Sequence, residues 1–499
     1  MFRMDGMKTR LLSILLLSIV LLLPALRNGQ PFMMSDTTTY VRGADAAIYK
    51  LTGIRTMWTG TFLERYERAE PAAPSSSTDH RARDAADLPV TINGRSVYYG
   101  MLLYLSCLFG NFWGAAIVQI VLTATAITLA AEQISRALGK APPGIGTVLV
   151  MAVVIGIGPA GYFAGYMMPD IFLPLAVIAF CQLGLLWRVL TRKERAFWLG
   201  LLTAALLFHA LHVVIIASGF AALLLRFGRS PGADGRSRLI AILAPLLVAL
   251  SGQAIFHLAV REATGAGPVD VPFLTARLTA DGPGEGYLRA HCPAAGLRLC
   301  TYLHRLPIDS DTFLWSRDPK TGIFSAVPPR DRRAIAAEQF AFVFDVAIDR
   351  PVALAQSTMI SIGRQATKWR LAEFNYGQRQ RETFDAKLPA PIIASTLASA
   401  AYRHDMPVRF TEIVTPVLTL AALTAILLFA RSPMRRGTIL PYLAFAIGAL
   451  LLNAIICGAI STPHDRYQMR LIWILPFLAV ALRSDPGMRS RRPIRSATS

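Results

Sequence analysis

Charge is what this chain has least of. Charged residues are 16% of its 499 positions, and acids are the scarcer sign, with 31 Asp and Glu against 51 Lys and Arg. A net charge of +20 with no interleaved basic and aromatic surface excludes a single-strand nucleic-acid binder. Cysteine is sparse too, at five residues. Cys107, Cys181 and Cys457 fall in apolar runs, where a small, weakly polar side chain packs. The Gly282–Gly286 stretch lacks a following Lys-Ser/Thr and follows no strand, which excludes a phosphate loop and leaves a flexible turn. The first apolar run, Leu11 to Leu23, lacks a small-residue cleavage site, so it reads as an uncleaved anchor.

What is abundant is apolar sequence. Hydrophobic residues make up 54% of the chain, and several runs approach the roughly 20 residues that cross a bilayer. After the first run they are Tyr98 to Phe109, Trp113 to Ala131, Val148 to Gly158, Ile171 to Leu190, Phe197 to Leu225, Leu239 to Leu258, Val414 to Ala430, Ile439 to Ile456 and Leu471 to Leu482. Gly110 and Asn111 break the second run from the third. Phe197 to Leu225 divides into two short helices meeting near His209 and His212, because both flanks are basic. With about ten spans, every Lys/Arg-rich link lands on one side, as the positive-inside rule requires. The expected fold is an all-α polytopic membrane protein with a mainly helical extracytoplasmic subdomain. Residues 1–258 form an N-terminal transmembrane module with a first outer loop at 27–97, 259–407 the subdomain, and 408–499 the last spans and a basic cytoplasmic tail. In the subdomain, Asp331 to Ile348 has helical spacing, Pro351 suits the first turn of a following helix, and Pro71 to Ser77 reads as a mobile loop. The expected location is a bacterial inner membrane, with both termini cytoplasmic and lipid around the spans.

This topology collects chemistry on one face. Asp36 follows the first span directly; Asn93-Gly94-Arg95 leads into the second; Asp170 lies in the second outer loop; His464, Asp465, Arg466 and Tyr467 precede the last span. A carboxylate can take a proton from an attacking hydroxyl, and arginine can hold a phosphate leaving group with two hydrogen bonds. Each of these groups alone has a plainer role as well. Asp36 can cap a helix that starts at Thr37, and an ionisable group at a span end can snorkel or form an ion pair.

The motifs S-D-T-T-T-Y (35–40), R-S-V-Y-Y (95–99), M-M-P-D-I-F (167–172) and D-R-Y (465–467), set in this topology, resemble the GT-C class of membrane glycosyltransferases. The resemblance implies transfer of a sugar from a polyprenyl-phosphate donor to an envelope lipid, glycan or protein acceptor on the outer side, usually with inversion. It implies Asp36 as base and Asp170 as second acid. Arg95, Tyr98, His464, Arg466 and Tyr467 would bind substrate, with Arg95 and Arg466 on the donor phosphate. The first loop has no Asp-Asp or Asp-Glu pair, so the sequence does not require a divalent metal. Two other readings stand beside this one. A polysaccharide polymerase or ligase would depend on outer-loop Arg and His more than on Asp36. A transporter or assembly component for envelope polymers predicts charges at the bilayer midplane, where His209, His212 and His257 are the main ionisable groups.

Cys292 and Cys300 share a segment placed outside, where oxidation is permitted, and Pro293 and Gly296 let the chain turn back to close a disulfide. A metal site using His291 and His304 is the alternative, although zinc ligands usually come in tighter pairs. His209 and His212 lie one helical turn apart; such a pair can bind a metal, but pointing into a polar cleft or bonding the backbone is the commoner arrangement. Trp315 and Trp369 fit a membrane-interface belt or a sugar-stacking role.

Overall fold

The computed structural model describes residues 2–61, 90–227 and 232–483, and among them the chain is helical, with only two isolated β-bridges. The Pro71 to Ser77 segment and the tail beyond Arg483 lie outside the described residues. Among the described residues five helices are long and apolar enough to cross a membrane: Met7–Asn28, Trp113–Ala137, Ala233–Thr264, Val408–Ala430 and Arg436–Ile460. Four shorter apolar helices, Val97–Cys107, Ile145–Ile157, Pro169–Leu185 and Ala210–Leu225, accompany them. The chain therefore has the make-up of a helical membrane protein.

The interruptions have local causes. Gly110 takes φ +79°, a left-handed conformation that is inexpensive only for glycine. It separates the Val97–Cys107 helix from Trp113–Ala137. His209 is extended (φ −157°, ψ 131°) and divides Arg192–Phe208 from Ala210–Phe227. The imidazoles repair that break. His209 Nδ1 accepts from Leu211 N at 3.1 Å, and His212 Nδ1 lies 2.7 Å from the Ala205 carbonyl. Gly282 takes φ +104°, and Pro283 opens a helix, Pro283–His291. The stretch expected as a flexible turn is thus a helix start.

Two apolar cores form. The larger joins the long helices, and it also takes in Leu371, Phe374, Tyr376, Phe384 and Ile392. The smaller is built from 269–346, around Leu278, Leu288, Phe313, Phe324 and Phe342. Residues 259–407 are thus shared between the two. Within the smaller core the helical pattern from Asp331 onward is two helices, Pro329–Ala337 and Gln339–Asp349. They meet at Glu338, whose carboxylate accepts from Arg298 N at 2.8 Å. Pro351 begins the next helix, Pro351–Thr367, at its first turn. Cys292 and Cys300 are bonded, with their Cα atoms 5.5 Å apart. His291 is paired with Asp349 at 3.1 Å.

A candidate site where three segments meet

The chain leaves its first helix at Asn28 and runs extended past Pro31 before a new helix, Ser35–Thr52, begins. In that extended piece Phe32 pairs in parallel with Tyr166. Phe32 N donates to the Gly165 carbonyl at 2.9 Å, and Met167 N donates to the Phe32 carbonyl at 2.8 Å. Thr37 adds a third tie, its hydroxyl donating to the Met167 carbonyl at 2.9 Å. The same hydroxyl accepts from Met34 N, which caps the helix. Asp36 is therefore not the cap. It stands in the first turn, where the helix dipole favours a carboxylate. The segments carrying Asp36 and Asp170 are stitched together by backbone bonds, although 134 positions of sequence separate the two acids.

Asp36 pairs with Arg95 at 2.7 Å. Ser96 fixes Arg95 from the chain side by capping the Val97–Cys107 helix and donating to the Leu207 carbonyl at 2.7 Å. The Arg95 guanidinium also faces the Trp315 ring, 5.7 Å from its centroid. One turn on, Gly100 allows this helix to approach the Ser35–Thr52 helix closely, since a Cβ there would collide with the Tyr40 carbonyl.

Asp170 has two arginine neighbours. Arg470 donates to it at 3.0 Å, and Arg466 Nε lies 3.6 Å away. Arg466 also bonds Glu373, which in turn faces His464 at 3.4 Å. Both guanidiniums lie over the Tyr467 ring, 5.1 Å from its centroid for Arg466 and 4.9 Å for Arg470. The frame around them is polar and specific. Arg470 donates to Asn453 at 2.8 Å, and the Asn453 amide holds the Tyr467 carbonyl at 2.8 Å. Gln365 clamps the backbone of His464 from both sides, accepting from its N at 2.9 Å and donating to its O at 3.0 Å. Lys368 pairs with Asp465 at 3.7 Å.

The two groups of ions share one electrostatic neighbourhood. The buried Tyr40 hydroxyl feels Arg95, Asp36, Asp170 and Arg466, and the Tyr166 hydroxyl feels Arg466, Glu373, Asp170 and Asp36. Burial pushes both phenols up, so they stay protonated donors at neutral pH. Glu373 is driven the other way. Burial alone would raise it, but the charge of Arg466 and the hydrogen bond to His464 hold it at about 2. Three arginines thus face three carboxylates. Among the acids the exposure differs: 28% for Asp36, 16% for Glu373 and 4% for Asp170. Asp36 is the one a substrate can reach most easily.

In comparisons with protein-family models, curated proteins and solved structures, nothing matches this chain.

The geometry therefore stands alone. Of the residues singled out from the sequence, Asp36, Arg95, Asp170, His464, Arg466 and Tyr467 belong to this assembly. Tyr98 turns elsewhere and donates to the Gly252 carbonyl at 2.9 Å. Arg470, Glu373, Gln365 and Asn453 are new members. Arg470 had a signal in the sequence, since it lies four residues beyond Arg466 and so on the same helix face. Glu373 had none, because only the fold brings the 371–376 turn to the loop before the last helices. Among the described residues no group of three or more His, Cys, Asp or Glu is placed to hold a metal ion. Asp36 and Asp170 are each paired with arginine, and no step below passes through a metal ion.

Proposed function

We propose that the chain is a membrane glycosyltransferase of the GT-C kind, moving a sugar from a polyprenyl-phosphate donor to an acceptor on the outer face of a bacterial inner membrane. The observation carrying this reading is the backbone pairing of the Asp36 and Asp170 segments beside Arg95 and Arg466. It supplies a reachable carboxylate next to cations at the end of a membrane helix. In this reading the donor phosphate takes Arg95 from Asp36, exchanging one anion for another. Asp36 is then free to accept the proton of the acceptor hydroxyl as that oxygen bonds to the anomeric carbon. The bond from that carbon to the phosphate oxygen breaks, and polyprenyl phosphate leaves with the electron pair. Asp170, held between Arg466 and Arg470, keeps those guanidiniums in place for the donor.

A polymerase or ligase would rest instead on His464 and the two arginines of the last helices. Such an enzyme has no task for Asp36, the most exposed of the three carboxylates, and that reach favours the first reading. The test is deletion of the gene in its host and rescue with wild type, Asp36→Asn or His464→Asn, followed by mass profiles of envelope lipids, glycans and glycoproteins. Loss of a general base costs about 10²–10⁴-fold in rate. Asp36→Asn, present at wild-type level, should leave the sugar missing. Full restoration by Asp36→Asn with failure of His464→Asn would replace the transferase by the ligase.

A further inference from the structure

The smaller core has an outer side that water does not suit. Phe340, Phe344 and Ile348 recur every four residues along Gln339–Asp349 and are 74%, 64% and 67% exposed. The next helix, Pro351–Thr367, adds Val352, Met359 and Ile360, at 67%, 66% and 54%. Neither helix is among the candidate spans. The one exposed acid between Phe340 and Ile360 is Asp349, and it is paired with both His291 and Arg350 at 3.1 Å. Six large apolar side chains on two consecutive helices form a ridge, unlike the scattered exposed leucines of an ordinary surface.

Continuity identifies what covers it. The Pro351–Thr367 helix packs along Pro433–Ile460, which contains the candidate span Arg436–Ile460. Contact there is backbone to backbone: a Cβ on Gly458 would come within 2.7 Å of Ile362 Cα. The spanning helix exposes Leu451, Ile455 and Ile460, side chains that a membrane would cover. Part of the ridge, Val352, Met359 and Ile360, is carried by the helix that packs on it. Beyond it the chain turns basic, with exposed Arg364 in the last turn of the helix and exposed Arg370 just past it, the pattern that seats an apolar helix face among lipid headgroups.

We propose that the Gln339–Asp349 and Pro351–Thr367 helices dip their ridge into the outer leaflet of the same membrane, with phospholipid as the partner of this surface. The inference needs the membrane but not the transfer chemistry. Its consequence reaches the site, because Gln365 at the end of the second helix clamps His464. Lipid contact would then hold the His464–Arg466 loop at the level of the bilayer surface.

The test places a fluorophore on Phe344→Cys and Val352→Cys in the full chain, in phosphatidylcholine–phosphatidylglycerol nanodiscs. Lys320→Cys, on an exposed turn of the same core, is the water reference. Wild type is the blank, since its free cysteines Cys107, Cys181 and Cys457 are buried. Doxyl-labelled lipid should quench positions 344 and 352 at least about threefold more than position 320, with iodide giving the reverse order. Iodide quenching equal to that at 320 would overturn the proposal. So would shielding from both quenchers together with cross-linking between copies, which would make the ridge a contact between two chains. Each label replaces an already exposed side chain, so folding is not at stake.

Discussion

Asp170→Asn tests whether the ion cluster is structural as well as chemical. In the wild type the carboxylate is 4% exposed, and its partners Arg470 and Arg466 are 3% and 8% exposed. Removing the charge leaves two guanidiniums that had shared one carboxylate oxygen. Arg466 retains Glu373, but Arg470 keeps only Asn453 and the Cys457 sulfur. Breaking a buried pair from one side costs about 3–5 kcal/mol, because the surviving charge is left without compensation. The same change at Asp234 is the control. Its pair with Arg188 is as short, 2.6 Å, but the side chains are 47% and 76% exposed, which limits the loss to about 1 kcal/mol or less. Thermal unfolding of detergent-purified protein reads the difference, with Asp170→Asn falling several-fold further in midpoint than Asp234→Asn. The double variant Asp170→Asn/Arg470→Met should recover much of the loss, since both charges of the close pair are then gone. Equal midpoints for the two single variants, or no recovery in the double, would refute the assignment of Asp170 as the anchor of Arg470.

Acid sensitivity follows from Glu373. Its folded pKa lies below the ordinary value of 4.5, at about 2, so its stabilisation is complete above about 4.5 and is lost as pH falls towards 2. Unfolding midpoints across pH 7 to 3 should drop less steeply in Glu373→Gln than in wild type. Gly458→Ala should cost about 1–3 kcal/mol by forcing the Pro351–Thr367 helix off its neighbour. Gly448→Ala, inside the same helix but where a Cβ meets nothing within 4 Å, should cost nothing and gain up to about 1 kcal/mol from helix propensity, and the pair of midpoints checks both. The Cys292–Cys300 bond closes a loop of sequence separation 8, worth roughly 2–3 kcal/mol by chain entropy. Intact-mass alkylation of denatured protein should modify three cysteines without reductant and five with it, and the double Cys→Ser variant should melt earlier.

The sequence by itself determined the helical membrane class, because long apolar runs leave the backbone no partner in lipid except its own helix. It also marked some of the places where helices stop. Gly110 and the proline at 351 act through neighbouring residues only, while the basic flanks of the 197–225 run called for a break within it. Asp36, Asp170 and Arg466 were legible as polar groups at the ends of apolar runs, since such groups are costly there without a task or a partner. Three things were left to the tertiary structure. The Phe32–Tyr166 pairing brings two loops together, and short extended pieces carry no periodicity to announce it. Glu373 joins Arg466 because residues 371–406 pack on the membrane core instead of staying with the rest of their segment. The ridge from Phe340 to Ile360 shows itself only once folding has used the opposite faces of its helices. Period and span length are properties of a stretch of chain. Which carboxylate meets which guanidinium depends on long-range packing, and a buried charge accepts whichever partner the fold delivers.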